Sequence, residues 1–297
     1  MEVRVLAFGT LTSNKYLLEA RMRKMLLLEL KNCLNRKEFK FIASIMLLIS
    51  IGSFLFTCFE VYGWNMTAIR SAYEMGSIQW PSTDMLLIIM YSLIPLLASI
   101  IYSDTYFTDV TCGVYKFILT RTDKRSYVWA KAIVNFGVAF SVFFIPLLLN
   151  QLLCFVAFPP EGFDSRYAFP PYDIGVQHYD PAAMFDLIRL QHPALYNLLF
   201  IFLISLVAAL FALLTYSIFF IGKKGRFAAI VGVFLLYIIG EMIVSSLGSY
   251  RLSLINLLQA GNTGSFTAML LWLSALLAPS ITIITIKTPR NELGVER

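Results

Sequence analysis

Charge is what this sequence most lacks: 14% of its 297 residues are Asp, Glu, Lys or Arg, against 58% apolar. A water-soluble domain carries roughly 25% charged and about 45–50% apolar residues. The shortage excludes a soluble enzyme, a secreted disulfide scaffold and a disordered regulator. Cysteine is scarce too. Cys33, Cys58, Cys112 and Cys154 stand far apart with no CxxC pair, which leaves no zinc or redox motif. The two histidines, His178 and His192, make no HExxH-type site, and there is no GxSxG elbow. A phosphate-binding P-loop would need Gly five residues before Gly222 and Ser or Thr after Lys223. Those positions hold Ser217 and Lys224, so the chain has no ATP site of that kind. The first apolar run, 5–8, is too short for a signal-peptide core, and no cleaved leader is expected. Residues 1–21 look unlike the rest, and Met22 or Met25 would serve as an alternative start.

What is present is apolar length. A hydrocarbon core of ~30 Å needs about 20 apolar residues in helix. Six segments qualify: 41–63, 85–103, 127–158, 193–221, 227–247 and 266–286. The expected fold class is therefore an all-α polytopic membrane protein with six transmembrane helices. Pro95, Pro146 and Pro279 fall inside spans, where a lost backbone hydrogen bond bends a helix. Lys and Arg are kept on the cytoplasmic side. Of 24, nine lie in the N-terminal segment 1–40, five in 104–131, three in 222–226 and three after 286, leaving four for the alternate loops. This pattern puts both termini in the cytoplasm, with 287–297 as a cytoplasmic tail, in a multi-pass protein of the cell membrane. It also accounts for the net charge of +6 as a topology signal, with no nucleic-acid partner. The 17–34 stretch alternates apolar and basic residues at helical spacing, as suits a helix lying in the inner membrane interface or packed on a partner. Tyr62, Trp64 and Trp80 mark the outer interface. The long outer loop 159–192 carries five acids against two arginines and is rich in Pro and aromatics.

Polar groups within the spans are the first functional candidates, since charge in hydrocarbon is rare. Glu241, about 21 Å from the inner start of its span, either lines a substrate pathway or caps the outer helices. Asn135, Asn150 and Gln151 on the third span either line a cavity or hydrogen-bond to neighbouring helices. These four are the candidates for a translocation pathway. The 104–131 segment is far longer than a plain connector of two helix ends needs. It leaves the second span with acids, passes Gly113 and ends in a basic cluster. That layout suits docking to another protein, or else forms a solvated charged loop.

The run YSDTYFTDVTCGVYKFILTRTDKRSYVWAK, ending at Lys131, resembles the second cytoplasmic segment of ABC-2 type transporter permease subunits. The N-terminal amphipathic helix resembles that family's connecting helix. The stretch around IGKKGRFAAIVG is similar to its fourth and fifth helices. LSLINLLQAGNTGSFTAMLLWLSALLAPS is similar to its short outer re-entrant helices and last span. The resemblance covers residues 22–290 and implies the type V exporter fold. It implies a bacterial exporter built from two permease copies, commonly a homodimer, and two cytoplasmic ABC ATPase subunits. ATP and Mg would be bound by those partners, and this chain itself would bind no cofactor and catalyse nothing. By the same resemblance, Asp104, Asp109, Gly113, Lys116, Arg121, Arg125 and Lys131 couple the chain to its ATPase. The acidic, aromatic outer loop departs from compact members of the family and would suit an amphipathic or antimicrobial peptide substrate. Two other classes remain: an ion-coupled secondary transporter, which predicts inverted repeats and deep charges, and a membrane scaffold or sensor without transport.

Overall fold

Helices account for the regular structure among the described residues, and the long ones lie where the apolar runs lie. The computed structural model describes residues 22–65, 69–120, 122–160, 179–221 and 225–287. Arg121, outer-loop residues 161–178, residues 1–21, 222–224 and the tail after Lys287 lie outside the described residues.

Helix α1 covers 22–35 and is cut from α2 (Lys37–Val61) by Arg36, whose extended backbone lets the two helices take different directions. A short turn at Pro81–Thr83 leads into α3 (Asp84–Tyr102). Two short helices follow, α4 (Thr105–Thr111) and α5 (Val114–Leu119). Between them Gly113 sits at φ 74°, a left-handed conformation that side chains disfavour. Asp123 starts α6 (Lys124–Ala157), its carboxylate accepting from the Ser126 amide at 3.4 Å. A short α7 (Asp186–Gln191) precedes α8 (Pro193–Ile218), which opens on a proline whose missing N–H is harmless at that position. Helix α9 (Arg226–Ser246), the short α10 (Leu254–Leu258) and α11 (Phe266–Lys287) complete the chain.

Six of these helices, α2, α3, α6, α8, α9 and α11, are long and apolar enough to cross a membrane. That is the architecture of a multi-pass membrane protein. The bundle is built round α8, in which 72% of the most apolar stretch is buried, against 22% for α9 and α11. Helices α3, α6 and α11 pack on α8. The peripheral helices turn large apolar side chains outward, among them Leu48, Phe59, Leu236 and Leu271. Water would penalise such a surface; lipid tails would not. At 34 residues α6 is about 51 Å long, well beyond a ~30 Å hydrocarbon core, so one of its ends stands outside the apolar layer.

The spans alternate in direction, so the bundle has two unlike ends. One holds α1, α4, α5 and the first turns of α2, α6 and α9; we call it the basic end. The other is closed by the segment 69–80. Gln79 of that segment donates to Asn197 of α8, and Trp80 donates from Nε1 to Glu60 at 2.8 Å. Glu74 is buried there, with Arg70 Nη1 3.6 Å from its Oε2. Burial outweighs the pull of Arg70 and Arg189 and raises its carboxyl to about 7 from an ordinary 4.5. The folded chain thus holds this proton more tightly than the unfolded chain. The stability Glu74 contributes is full below about pH 4.5 and is lost as pH rises through about 7. Unfolding midpoints measured from pH 4 to 8 should fall across that window, and Glu74→Gln should flatten the slope; an unchanged slope would refute the assignment.

Candidate functional site

Near its basic end, α6 carries Lys131, which is 2% exposed. An ammonium so enclosed needs partners for all three N–H groups, and it has them. Its Nζ lies 3.0 Å from Glu29 Oε2, 2.9 Å from Asp109 Oδ2 and 2.9 Å from Thr105 Oγ1. Each carboxylate is held again by a tyrosine: Tyr102 donates to Glu29 Oε2 and Tyr127 donates to Asp109 Oδ2, both at 2.5 Å. The ammonium also lies 5.1 Å from the centre of the Tyr127 ring. One cation therefore ties together α1, through Glu29, and α4, through Thr105 and Asp109.

A second knot adjoins the first. Asp104, at the junction of α3 and α4, is 1% exposed. Arg36 Nη1 donates to its Oδ1 at 2.6 Å, and Arg226 Nε lies 2.9 Å from its Oδ2 as an ion contact out of line for a hydrogen bond. Arg226 Nη2 donates to Glu38 Oε1 at 2.8 Å, and Thr108 Oγ1 donates to Asp104 Oδ2 at 3.2 Å. Burial works to lower the Arg36 guanidinium, but Asp104 more than offsets it and holds the group above its ordinary value. The guanidinium lies 4.9 Å from the centre of the Tyr102 ring, so Tyr102 touches both knots. Between them they join α1, the start of α2, the α3–α4 junction, the start of α6 and the start of α9.

Helix α1 explains why Glu29 is available. Its buried face is Met25, Glu29 and Cys33, at successive i,i+4 positions, while Leu27, Leu28, Leu30 and Leu34 are exposed. Burial pushes the Cys33 thiol up to about 12, so it stays protonated and inert. These leucines, which carry most of the apolar signal of this helix, lie off that buried face.

The sequence-derived coupling residues divide accordingly. Asp104 and Lys131 are buried and Asp109 is half-buried; Lys131 pairs with Asp109 directly, and Asp104 with Arg36 and Arg226. Gly113 forms the α4–α5 turn. Lys116 and Arg125 are exposed, and Arg121 lies outside the described residues. Beside Lys116 the turn also exposes Val110, Val114 and Phe117, the last 77% accessible. Glu29, Arg36, Glu38, Tyr102, Tyr127 and Arg226 are members of the site that sequence reasoning missed. Glu29 had one usable signal: it is the single acid of its helix, set between two leucines.

The pathway candidates are elsewhere, and their polar atoms bind protein. Asn135 donates to Ala212 O at 2.9 Å and meets Ser103, joining α6 to α8 and α3. Asn150 donates to Ser50 O and Ser53 Oγ of α2, each at 2.9 Å, and accepts from the Ser77 amide. Gln151 donates to Ala72 O and accepts from Asn197, both at 2.9 Å. Glu241 accepts from Ser253 Oγ at 2.6 Å and from the Leu254 amide at 2.8 Å, so its two oxygens cap α10. Among the described residues no cluster of His, Cys, Asp and Glu is placed to hold a metal ion. No protein-family model, curated protein or solved structure matches this chain.

Proposed function

We propose that the chain is the membrane-spanning subunit of an ATP-driven exporter of the ABC-2 type, moving an amphipathic substrate, foremost a peptide, out of the cell. In this reading the ATP is bound with Mg and hydrolysed on a separate ATPase, of which two copies serve two permease chains. In this reading the basic end is the cytoplasmic end, because 12 of the 15 described Lys and Arg lie there, against Arg70, Arg189 and Arg251 elsewhere.

The observation that carries the reading is the α4–α5 turn and its anchorage. The turn offers Val110, Val114 and Phe117 beside Lys116 as an exposed apolar and basic tip. Asp109 of the same turn is fixed to Lys131, and Lys131 to Glu29. A partner that pushes on the tip would act on α1 and α6 together, which is the mechanical link an ATPase needs to move spans. Against an ion-coupled carrier stands Glu241, the acid a carrier would use, whose two oxygens are both engaged in capping.

The test is a pull-down of the tagged full-length chain in mild detergent after crosslinking, read by mass spectrometry. The expected companion is a P-loop ATPase of roughly 25–35 kDa, one or two ordinary domains, in near-equal amount. Phe117→Asp should lose it while leaving the unfolding midpoint in place. A crosslinked wild-type chain without any ATPase would overturn the proposal.

A further inference from the structure

A groove of about 560 Å³ runs between α1, α2 and α6, within the range of about 300–1,000 Å³ typical of ligand sites. Leu27, Leu30 and Leu34 line it from α1, Phe39 and Leu47 from α2, and the stretch from Ile133 to Pro146 from α6. Ser141 is the single polar side chain in the lining, and its hydroxyl is spent on Gly137 O at 2.8 Å. The groove therefore offers a ligand tail nothing but apolar contact. Along α6 the lining spans about 20 Å, rather more than the ~15 Å that one leaflet contributes to a ~30 Å hydrocarbon core.

The end of the groove at α1 has the opposite character. Arg23, Lys24 and Lys31 are exposed on α1, each one turn from a groove leucine, and Lys40 is exposed one turn before Ala43 of α2. Among the described residues none of these four is in an ion pair, whereas Arg36, Lys131 and Arg226 of the same end are all paired. The nearby acids Glu29, Glu38, Asp104 and Asp109 are committed to those three. Positive charge that no acid among the described residues pairs with thus sits beside an apolar slot.

We propose that this groove binds an anionic phospholipid from the leaflet at the basic end, one acyl chain lying along α6 and the phosphate among the α1 cations and Lys40. A second copy of the chain suits the groove less well. Two-fold packing about the membrane normal would bring a second basic cluster to the same depth, and like charges would face each other. A zwitterionic lipid would fill the slot but leave the cations unmatched. The inference is independent of transport and stands whether or not an ATPase binds.

The experiment uses the purified full-length chain, stripped of lipid in mild detergent and offered phosphatidylglycerol or phosphatidylcholine with the same acyl chains. Native mass spectrometry counts what stays bound. One phosphatidylglycerol per chain is expected, in clear excess over phosphatidylcholine. A side chain begun at Gly137 meets nothing within 4 Å, so Gly137→Trp should enter the groove and displace the lipid without shifting the unfolding midpoint. Lys31→Glu with Lys40→Glu should cut phosphatidylglycerol retention about tenfold or more and leave phosphatidylcholine alone; this variant keeps the test open if Gly137→Trp misfolds. Equal retention of the two lipids would overturn the proposal. So would full retention by a folded Gly137→Trp, or a chain dimer crosslinked through Gly137→Cys that excludes lipid.

Discussion

Lys131→Met is expected to destabilise the chain by about 3–5 kcal/mol, the usual loss when one partner of a buried ion pair is removed. Methionine fills much of the lysine's volume, so the loss does not come from a cavity. It comes from Glu29 and Asp109, two carboxylates that share one ammonium and would be left facing each other. Glu29 is the worse placed, at 1% exposure with only the Tyr102 hydroxyl remaining. The prediction has a signed companion. Adding Glu29→Gln to Lys131→Met removes the more deeply buried of the two orphaned charges while keeping an acceptor for Tyr102, and should recover more than half of the loss. Chemical unfolding in detergent, followed by tryptophan fluorescence, measures both. A double variant no better than Lys131→Met would mean that the lysine acts through packing and that the knot is not electrostatic.

That knot was not legible in the sequence, and the reason is separation. Lys131 and Glu29 are 102 residues apart, Arg36 and Asp104 are 68 apart, and Arg226 and Glu38 are 188 apart. No period or spacing signals a pair across such distances. The prior for a charged residue at the end of a span or beyond it is exposure, so Asp104, Asp109 and Lys131 read naturally as groups for a partner's surface. The six long helices were legible because each is a local run of about 20 apolar residues, a length that little but a bilayer demands. The turn at Gly113 has an equally local signal, since only glycine adopts its backbone freely. Helix α1 shows how a local rule can mislead. Its apolar periodicity is dominated by leucines, yet the protein buries Met25, Glu29 and Cys33 and leaves the leucines to the groove. In water an apolar stripe seeks the core; beside lipid it need not, and a buried acid with a waiting lysine can claim the inner face. Glu241 lies between these cases. Its depth in the span and the option of capping the outer helices were readable, while the choice of α10 depends on a turn that only the folded chain brings to it.

Asp104→Ala is the second large effect, expected at about 2–4 kcal/mol. The figure lies below that for Lys131 because the two arginines it would strand, Arg36 and Arg226, are 21% and 32% exposed and keep some water. Arg226 keeps Glu38 as well, so Arg36 bears most of the loss. Position makes this residue matter beyond its energy. Asp104 is where α3 gives way to α4, Arg36 is where α1 gives way to α2, and Arg226 opens α9. One carboxylate therefore fixes three helix boundaries, and without it the α4–α5 tip can move relative to α2 and α9. Arg226→Met alone should cost less, and in the Asp104→Ala, Arg226→Met pair the losses should fall short of their sum by at least about 1 kcal/mol, the signature of direct coupling. Strictly additive losses would remove the Asp104–Arg226 contact from the account. Hydrogen exchange supplies the independent readout: amides in 105–119 should lose protection in Asp104→Ala, while those of α8, on which the bundle is built, stay protected.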